Sequence, residues 1–371
     1  MIRRDQRRAA LVARHHLGRS APHVHRACRD LVAIHSSDPL TPHIGLWARV
    51  PDYRPDHLEA HTPDSLWRLH AMRRTLWVAC REEVGLLDAA VGQTVAARER
   101  RRLLGCLLRD DAETWLASLS EQVVAAVAAA PGVHTRQLTK ELPELATKIQ
   151  VGSGKWVTEV AISSRLLFLL AMELRLARTA STGTWKASQY GWRVAPEVTP
   201  VDPALARGML VGRYLERFGP VTTTDVRWWT GMTAAQVKRA VADIGAVEVE
   251  LEEGTGWVAK EAPLPEAEGV ALLPGLDPTP MGYKERSWFL GDHQAALFDR
   301  NGNVGPTVWV DGRIVGGWAV DAEGRVRHRL LDDVGERAAA EVGVEGERLT
   351  EWLDGLSVTP RFRTPLEKEL V

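Results

Sequence analysis

Residue types able to handle a proton gather in the run His35-Ser36-Ser37-Asp38-Pro39. A neutral imidazole titrates near working pH and can act as a general base. A hydroxyl one residue beyond Ser36 offers a hydrogen bond but takes no proton at neutral pH, and the Asp38 carboxylate can orient a group or stabilise developing positive charge. Plainer readings stand beside these. His35 can cap a helix end or touch a phosphate, Ser37 can bond its own turn, and Asp before Pro is a common turn element. The pairs His15-His16 and His23-x-His25 lack neighbouring carboxylates or cysteines and give little basis for a metal site. Cys28, Cys80 and Cys106 stand apart with no metal-ligand spacing, which fits a reducing compartment and no disulfide framework. Walker A, GxSxG and HExxH patterns are absent, and Asn301-Gly-Asn-Val-Gly305 reads as a hairpin turn rather than a phosphate loop. Neither a cofactor nor a metal is expected.

Charge sharpens the picture only locally. The chain of 371 residues has a net charge of −1, yet its first 50 residues hold nine Arg against Asp5, Asp30 and Asp38. Nine of the 12 His also precede residue 71. A basic surface of this kind attracts phosphates even on a neutral protein, although an Arg-rich solvated helix gives the same count. Hydrophobic residues make up 45% of the chain, an ordinary globular value. No apolar run approaches the roughly 18–20 residues that span a bilayer. The basic start lacks an apolar core, so no secretory signal is expected and the expected location is the cytoplasm, at the nucleoid.

The elements that must position these groups follow from periodicity. Residues 7–18 read as a helix, and 20–34 as a second, with Val24, Ala27, Leu31 and Ile34 on one face. The 35–39 run breaks that pattern, and a third helix follows over 42–48. A helix over 63–69 and a strand over 75–79 come next. The pattern then gives helices at 98–108, 111–130 and 135–141, a long helix at 155–178, and a hairpin at 183–193. After a proline-rich linker at 196–203 the order recurs: helices at 204–218, 223–230 and 233–244, then a two-stranded wing at 247–260. Helices followed by a hairpin make the winged-helix order, and its repetition favours DNA over protein partners. Beyond 265, short strands at 270–274, 295–299, 307–310, 313–318 and 326–331 alternate with tight turns, as in an antiparallel sheet or small barrel. A helical segment over 338–356 closes the chain.

In order and spacing, the runs IHSSDP, GLWAR, GTWKASQYGWR, LLPGLDP, GYKERSWFLGDH and GNVGPTVWVDGRIVGGW resemble the AlkZ-type bacterial DNA glycosylases over nearly the whole chain. That family combines tandem winged helices with a C-terminal β-barrel. The resemblance implies hydrolysis of the N-glycosidic bond of cationic alkylated purines, including bulky adducts and crosslinks. It places the catalytic pair where members carry Gln-x-Gln or Gln-x-Asp before Asp-Pro. Here those positions are His35 and Ser37, a departure from the pattern, with Asp38 as a third candidate. Because the base is already cationic, no acid is needed for its departure; the demands are a positioned water and a stabilised oxocarbenium-like transition state.

The expected fold class is therefore α+β: a winged-helix-like unit at 1–97 carrying the motif, further winged-helix units at 98–198 and 199–265, and a β-barrel-like domain at 266–371. The expected function is a monofunctional glycosylase acting on N7-alkylguanine or N3-alkyladenine in double-stranded DNA, working as a monomer without a membrane. Expected DNA contacts are Arg14, Arg19, Arg26, Arg49, Arg227, Lys238, Arg239, Arg286 and Trp288, although Trp288, Trp309 and Trp318 equally fit a core. The alternative is a catalytically silent winged-helix DNA-binding protein, either a lesion sensor or a transcription regulator. A more distant reading is a protein-interaction scaffold.

Overall fold

The computed structural model describes the chain apart from residues 63, 153, 155, 156, 187, 188, 261, 262 and 359–362. It divides into two compact units, Met1–Leu58 with Arg207–Val371, and Glu59–Ala206. The boundaries expected from sequence differ, and the one at 97/98 falls inside the helix Gln93–Leu104.

The unit Glu59–Ala206 is built on the helix Ala112–Ala129, whose Leu116, Leu119, Val123 and Val127 recur at helical spacing and are all buried. Against them pack Leu138 of the helix Thr135–Glu141, Leu166 and Leu170 of the helix Ser163–Met172, and Trp192. Two expectations fail here. Leu66–His70 is a strand paired antiparallel with Leu76–Cys80, not a helix over 63–69 (residue 63 lies outside the described set). So short an apolar run fits either period, and pairing with the all-buried Leu76–Cys80 settles it. The long helix over 155–178 is also absent. Thr158–Ala161 pairs with Lys148–Val151, and the helix proper is only Ser163–Met172. Thr158 and Val160 are β-branched and pack better on a pleated strand than in a helix. Residues 155 and 156 lie outside the described set.

Leu176–Ser181 pairs with Tyr190–Val194 in the hairpin that the GTWKASQYGWR run marks, its residues 187 and 188 outside the described set. Gly191 has a physical reason in that run. A Cβ built there would sit 2.1 Å from the Gly132 carbonyl oxygen, a backbone atom that cannot swing aside. Gly191→Ala is expected to cost about 1–3 kcal/mol of stability, as overpacking does. Chemical denaturation of the variant measures it, and a loss below a few tenths would mean that the two backbones separate freely.

Further along the chain the helices Pro203–Phe218, Thr223–Thr230 and Ala234–Asp243 precede the hairpin Val247–Leu251 and Gly254–Val258. Thr222 with Asp225 and Thr233 with Gln236 form reciprocal capping boxes, so both helix starts are written in the sequence. The C-terminal region is an open four-stranded antiparallel sheet in the order Val270–Leu273, Thr307–Val310, Arg313–Val320, Val326–Leu330. Among the described residues no closed barrel forms, because the two outer strands each have a single neighbour. One expected barrel strand, at 295–299, is instead the short helix Gln294–Leu297. The helix Gly335–Leu353 buries Val342, Leu349 and Leu353 and lies on the sheet, so a covering helix hides surface that closure would have hidden.

Candidate active site

The helix Val24–Asp30 stops earlier than the apolar pattern suggests. Val32 turns the chain with a φ of 62°, and Ile34–His35 is extended. Residues 36–39 then lead into the helix Leu40–Trp47. Asp38 fixes that start: its Oδ1 accepts the Leu40 N–H at 2.8 Å. An anion there also suits the positive end of the peptide dipoles. Burial pushes the Asp38 carboxyl above the usual carboxylate range, opposed by hydrogen bonds from the backbone of Leu40 and Thr41.

Ser37 is exposed and Asp38 half-buried, and both line a cavity of about 210 Å³. Its other wall comes from the C-terminal sheet region. Thr41 ties the two together by donating to the Gly275 carbonyl at 2.8 Å, and the Leu276 N–H donates to Val304 O at 3.0 Å. Apolar groups such as Leu40, Ile44, Val304 and Trp318 supply much of the lining. Three carboxyl groups share it: Asp38, Asp299 and Glu367. Asp299 accepts the Asn301 N–H at 2.7 Å, the Asn303 N–H at 2.9 Å and the Asn303 amide at 3.0 Å. Burial works to raise its pKa, but these bonds outweigh burial and hold it below the usual range. Glu367 closes a capping box with Thr364, and burial pushes its carboxyl upward. No Arg, Lys or His is among the described lining residues.

His35 is 6% exposed and is not among the described lining residues. It is the residue that ends the short extended segment Ile34–His35, two positions before Ser37. Two neighbouring histidines are held within the fold. His15 is fully buried, with Nδ1 against the Thr279 hydroxyl at 2.9 Å, and burial drives its pKa well down. His16 pairs with Asp30 at 2.8 Å.

Several expected DNA contacts are built into the fold instead. Arg49 is wholly buried, and its guanidinium is held by both oxygens of Asp277 at 2.8 Å each. Arg14 is buried and donates to the carbonyls of Gly219 and Pro263. Trp288 is 2% exposed, with the Arg7 guanidinium 4.0 Å above its ring. All three are buried and are engaged by groups of the protein itself. Arg19 is half-buried, paired with Glu345 at 3.1 Å and stacked on Trp47 at 4.0 Å. Arg286 donates to Pro280 O at 3.0 Å, and burial brings its pKa down to about 10. Arg26 pairs with Asp30 at 2.6 Å across its own helix. Arg227, Lys238 and Arg239 are exposed, the last with Asp243 at 3.3 Å. Trp309 and Trp318 are buried, their N–H groups bonded to Thr307 and Leu273.

Sequence reasoning missed Asp299 and Glu367. Glu367 carried a signal, since Thr364-Pro-Leu-Glu367 is a capping box on its face. Asp299 carried none beyond its place beside the Asn301–Asn303 turn.

Residues 28–352 match the model of the family described as DNA glycosylase AlkZ-like. The chain belongs to the AlkZ-like DNA glycosylase family. A curated relative, the interstrand DNA cross-link repair glycosylase of Streptomyces sahachiroi, is 28% identical over 153 residues, 38% of this chain. The match spans 40% of that relative's length. The solved structure of the Streptomyces sahachiroi DNA glycosylase AlkZ superposes with a TM-score of 0.73 at 20% identity, covering 96% of this chain and 98% of that one. At that identity the superposition speaks for the fold, which this AlkZ-like chain shares from end to end. Among the described residues, no helix is long and apolar enough to cross a membrane.

Proposed function

We propose that this AlkZ-like protein is a monofunctional, monomeric DNA glycosylase that hydrolyses the N-glycosidic bond of cationic alkylated purines in duplex DNA. The observation that carries the reading is the cavity shared by Ser37, Asp38, Asp299 and Glu367, with no cationic side chain on its described wall. A phosphate-seeking surface would be basic. A site for a cationic base, and for the positive charge that passes to the sugar as the base leaves, should be anionic and partly apolar. The two runs of three helices and a hairpin, 112–194 and 203–258, are read as winged helices that bind duplex DNA, the second through exposed groups such as Arg227, Lys238 and Arg239.

In the proposed reaction the C1′–N bond breaks and its electron pair passes to the base, which departs neutral. The sugar becomes oxocarbenium-like, faced by the Asp38 carboxylate. Ser37 donates a hydrogen bond that places the attacking water, a new C1′–O bond forms, and the water's proton goes to Asp38. His35 supports the loop that carries Ser37, as a positioning residue. Asp299, the carboxylate held below the usual range, keeps a negative wall opposite.

The test is incubation with a duplex carrying one N7-methylguanine, then alkaline cleavage at abasic sites. Strand cleavage is expected with the wild type. His35→Ala is expected to slow it about 10-fold or more, and Ser37→Ala likewise, in the range typical of a lost positioned group. A duplex that binds yet is never cleaved, whatever N7- or N3-alkyl group it carries, would instead mark a silent DNA-binding protein that has exchanged the family's glutamine pair for His35 and Ser37.

A further inference from the structure

The unit Glu59–Ala206 holds a second cavity, of about 520 Å³, unrelated in charge to the first. Arg74, Arg102 and Arg165 line it with a single carboxylate, Glu99. Glu99 is 11% exposed and is shared by two of the guanidinium groups, Arg74 Nε at 3.1 Å and Arg102 at 2.6 Å. Both arginines keep N–H groups directed elsewhere, since one carboxylate cannot satisfy two five-donor forks. Arg165 projects from the helix Ser163–Met172. Its guanidinium has no hydrogen bond or ion pair among the described residues, and its Nε is buried without an acceptor. Three cations thus face one anion in a walled space. The remaining wall is apolar, with Leu103 and Leu169 buried and Phe168 lying 6.0 Å from the Arg74 guanidinium.

We infer that this cavity is a phosphate-binding site whose ligand carries a ring or other apolar body beside the phosphate. Planar guanidinium forks match phosphate oxygens in pairs, and a buried, unsatisfied N–H favours an acceptor that an arriving anion brings. The Glu99 clamp keeps two of the forks in place before the ligand comes. Phe168 and the leucines give a surface on which a base or sugar can lie. A phosphodiester of a nucleic-acid strand and a free phosphorylated small molecule share this chemistry. The site is independent of the glycosylase reading, because it needs neither a lesion nor the cavity at Ser37.

The experiment uses the full chain with an undamaged 20-base-pair duplex, measuring affinity by fluorescence anisotropy across a salt series. Arg165→Gln and, on the more exposed rim, Arg102→Gln are compared with the wild type, each first shown to melt cooperatively. A strand phosphate seated here predicts that each variant flattens the slope of log affinity against log salt by about one. Arg165→Lys should restore the slope, since the charge is kept. In a parallel arm, thermal melting is followed with inorganic phosphate and with deoxyguanosine monophosphate. A stabilisation seen in the wild type and lost in Arg165→Gln, with the DNA slope unchanged, assigns the site to a free phosphate compound. An unchanged slope together with no stabilisation by either anion overturns the proposal.

Discussion

Replacing Asp277 by alanine is expected to cost the protein about 3–5 kcal/mol of stability, the usual penalty for stranding one partner of a buried ion pair. Arg49 and Asp277 are both fully buried, and the guanidinium makes every bond it can. Its Nε donates to His15 O at 2.9 Å, one terminal nitrogen to Gly45 O at 2.7 Å and Asp277, and the other to Asp277 and the Thr279 hydroxyl at 2.8 Å. Five donors meet five acceptors, so an arginine left without its carboxylate has no water to turn to. Asp277 also caps the turn at Thr279 by accepting its N–H at 2.9 Å. Urea unfolding followed by tryptophan fluorescence reads the loss. The double variant Arg49→Met with Asp277→Leu should be less destabilised than Asp277→Ala, because an apolar pair leaves no charge behind. A loss below 1 kcal/mol in Asp277→Ala would mean that water reaches the guanidinium.

That ion pair also shows what the sequence motifs were recording. Arg49 ends GLWAR and Asp277 ends the LLPGLD stretch, and the two runs meet in this one contact. Gly45 of GLWAR is small for the same reason, since a Cβ there would approach Asp277 Oδ2 to 3.3 Å. In GYKERSWFLGDH, Tyr283 donates its hydroxyl to Phe218 O at 2.7 Å, while the backbone N–H groups of Lys284 and Glu285 bond buried Asp225. The runs that revealed the family are therefore largely packing signatures. Arg49 and Trp288, expected from sequence as DNA contacts, are both buried among these packing groups. Motif order reports the fold, but composition alone does not tell a buried arginine from a free one.

Elements were legible where one period dominated. The helix Thr135–Glu141, the helix Thr223–Thr230 and the strand Thr307–Val310 lie where their spacing put them, helped by flanking Pro-Gly and capping-box signals. They were illegible where partner choice decides. Leu66–His70 and Thr158–Ala161 become strands only because Leu76–Cys80 and Lys148–Val151 lie alongside. The candidate site divides in the same way. Ser37 and Asp38 stand out as a polar break between helices, whereas Asp299 and Glu367 join them only through a fold that brings residues some 260 to 330 positions apart onto one wall. No local pattern encodes that meeting.

Asp38→Asn separates function from stability, and its two expected effects have opposite sign. Activity on an N7-methylguanine duplex should fall about 10²–10⁴-fold, because the amide neither accepts the water's proton nor carries charge to face the oxocarbenium-like sugar. Stability should hold or rise. A carboxyl whose folded pKa lies above its unfolded value contributes stability below the unfolded pKa and loses it as pH climbs through the folded one. Burial raises Asp38 in this way, so at neutral pH its ionised form works against the fold. Asparagine removes that cost while its side-chain oxygen can still accept the Leu40 N–H that starts the helix Leu40–Trp47. The same shift sets the pH profile. The wild-type rate should fall on the acid side at a pH above that of an ordinary aspartate, and the residual rate of Asp38→Asn should lack that limb. Single-turnover rates across pH and melting curves at neutral pH read both effects. A variant that loses stability and activity together would make Asp38 a helix cap alone, and the proton would then have to leave through another group on the cavity wall. Asp299 shares that wall, but the turn that grips it holds its carboxyl below the usual range and so makes it a weaker base than Asp38.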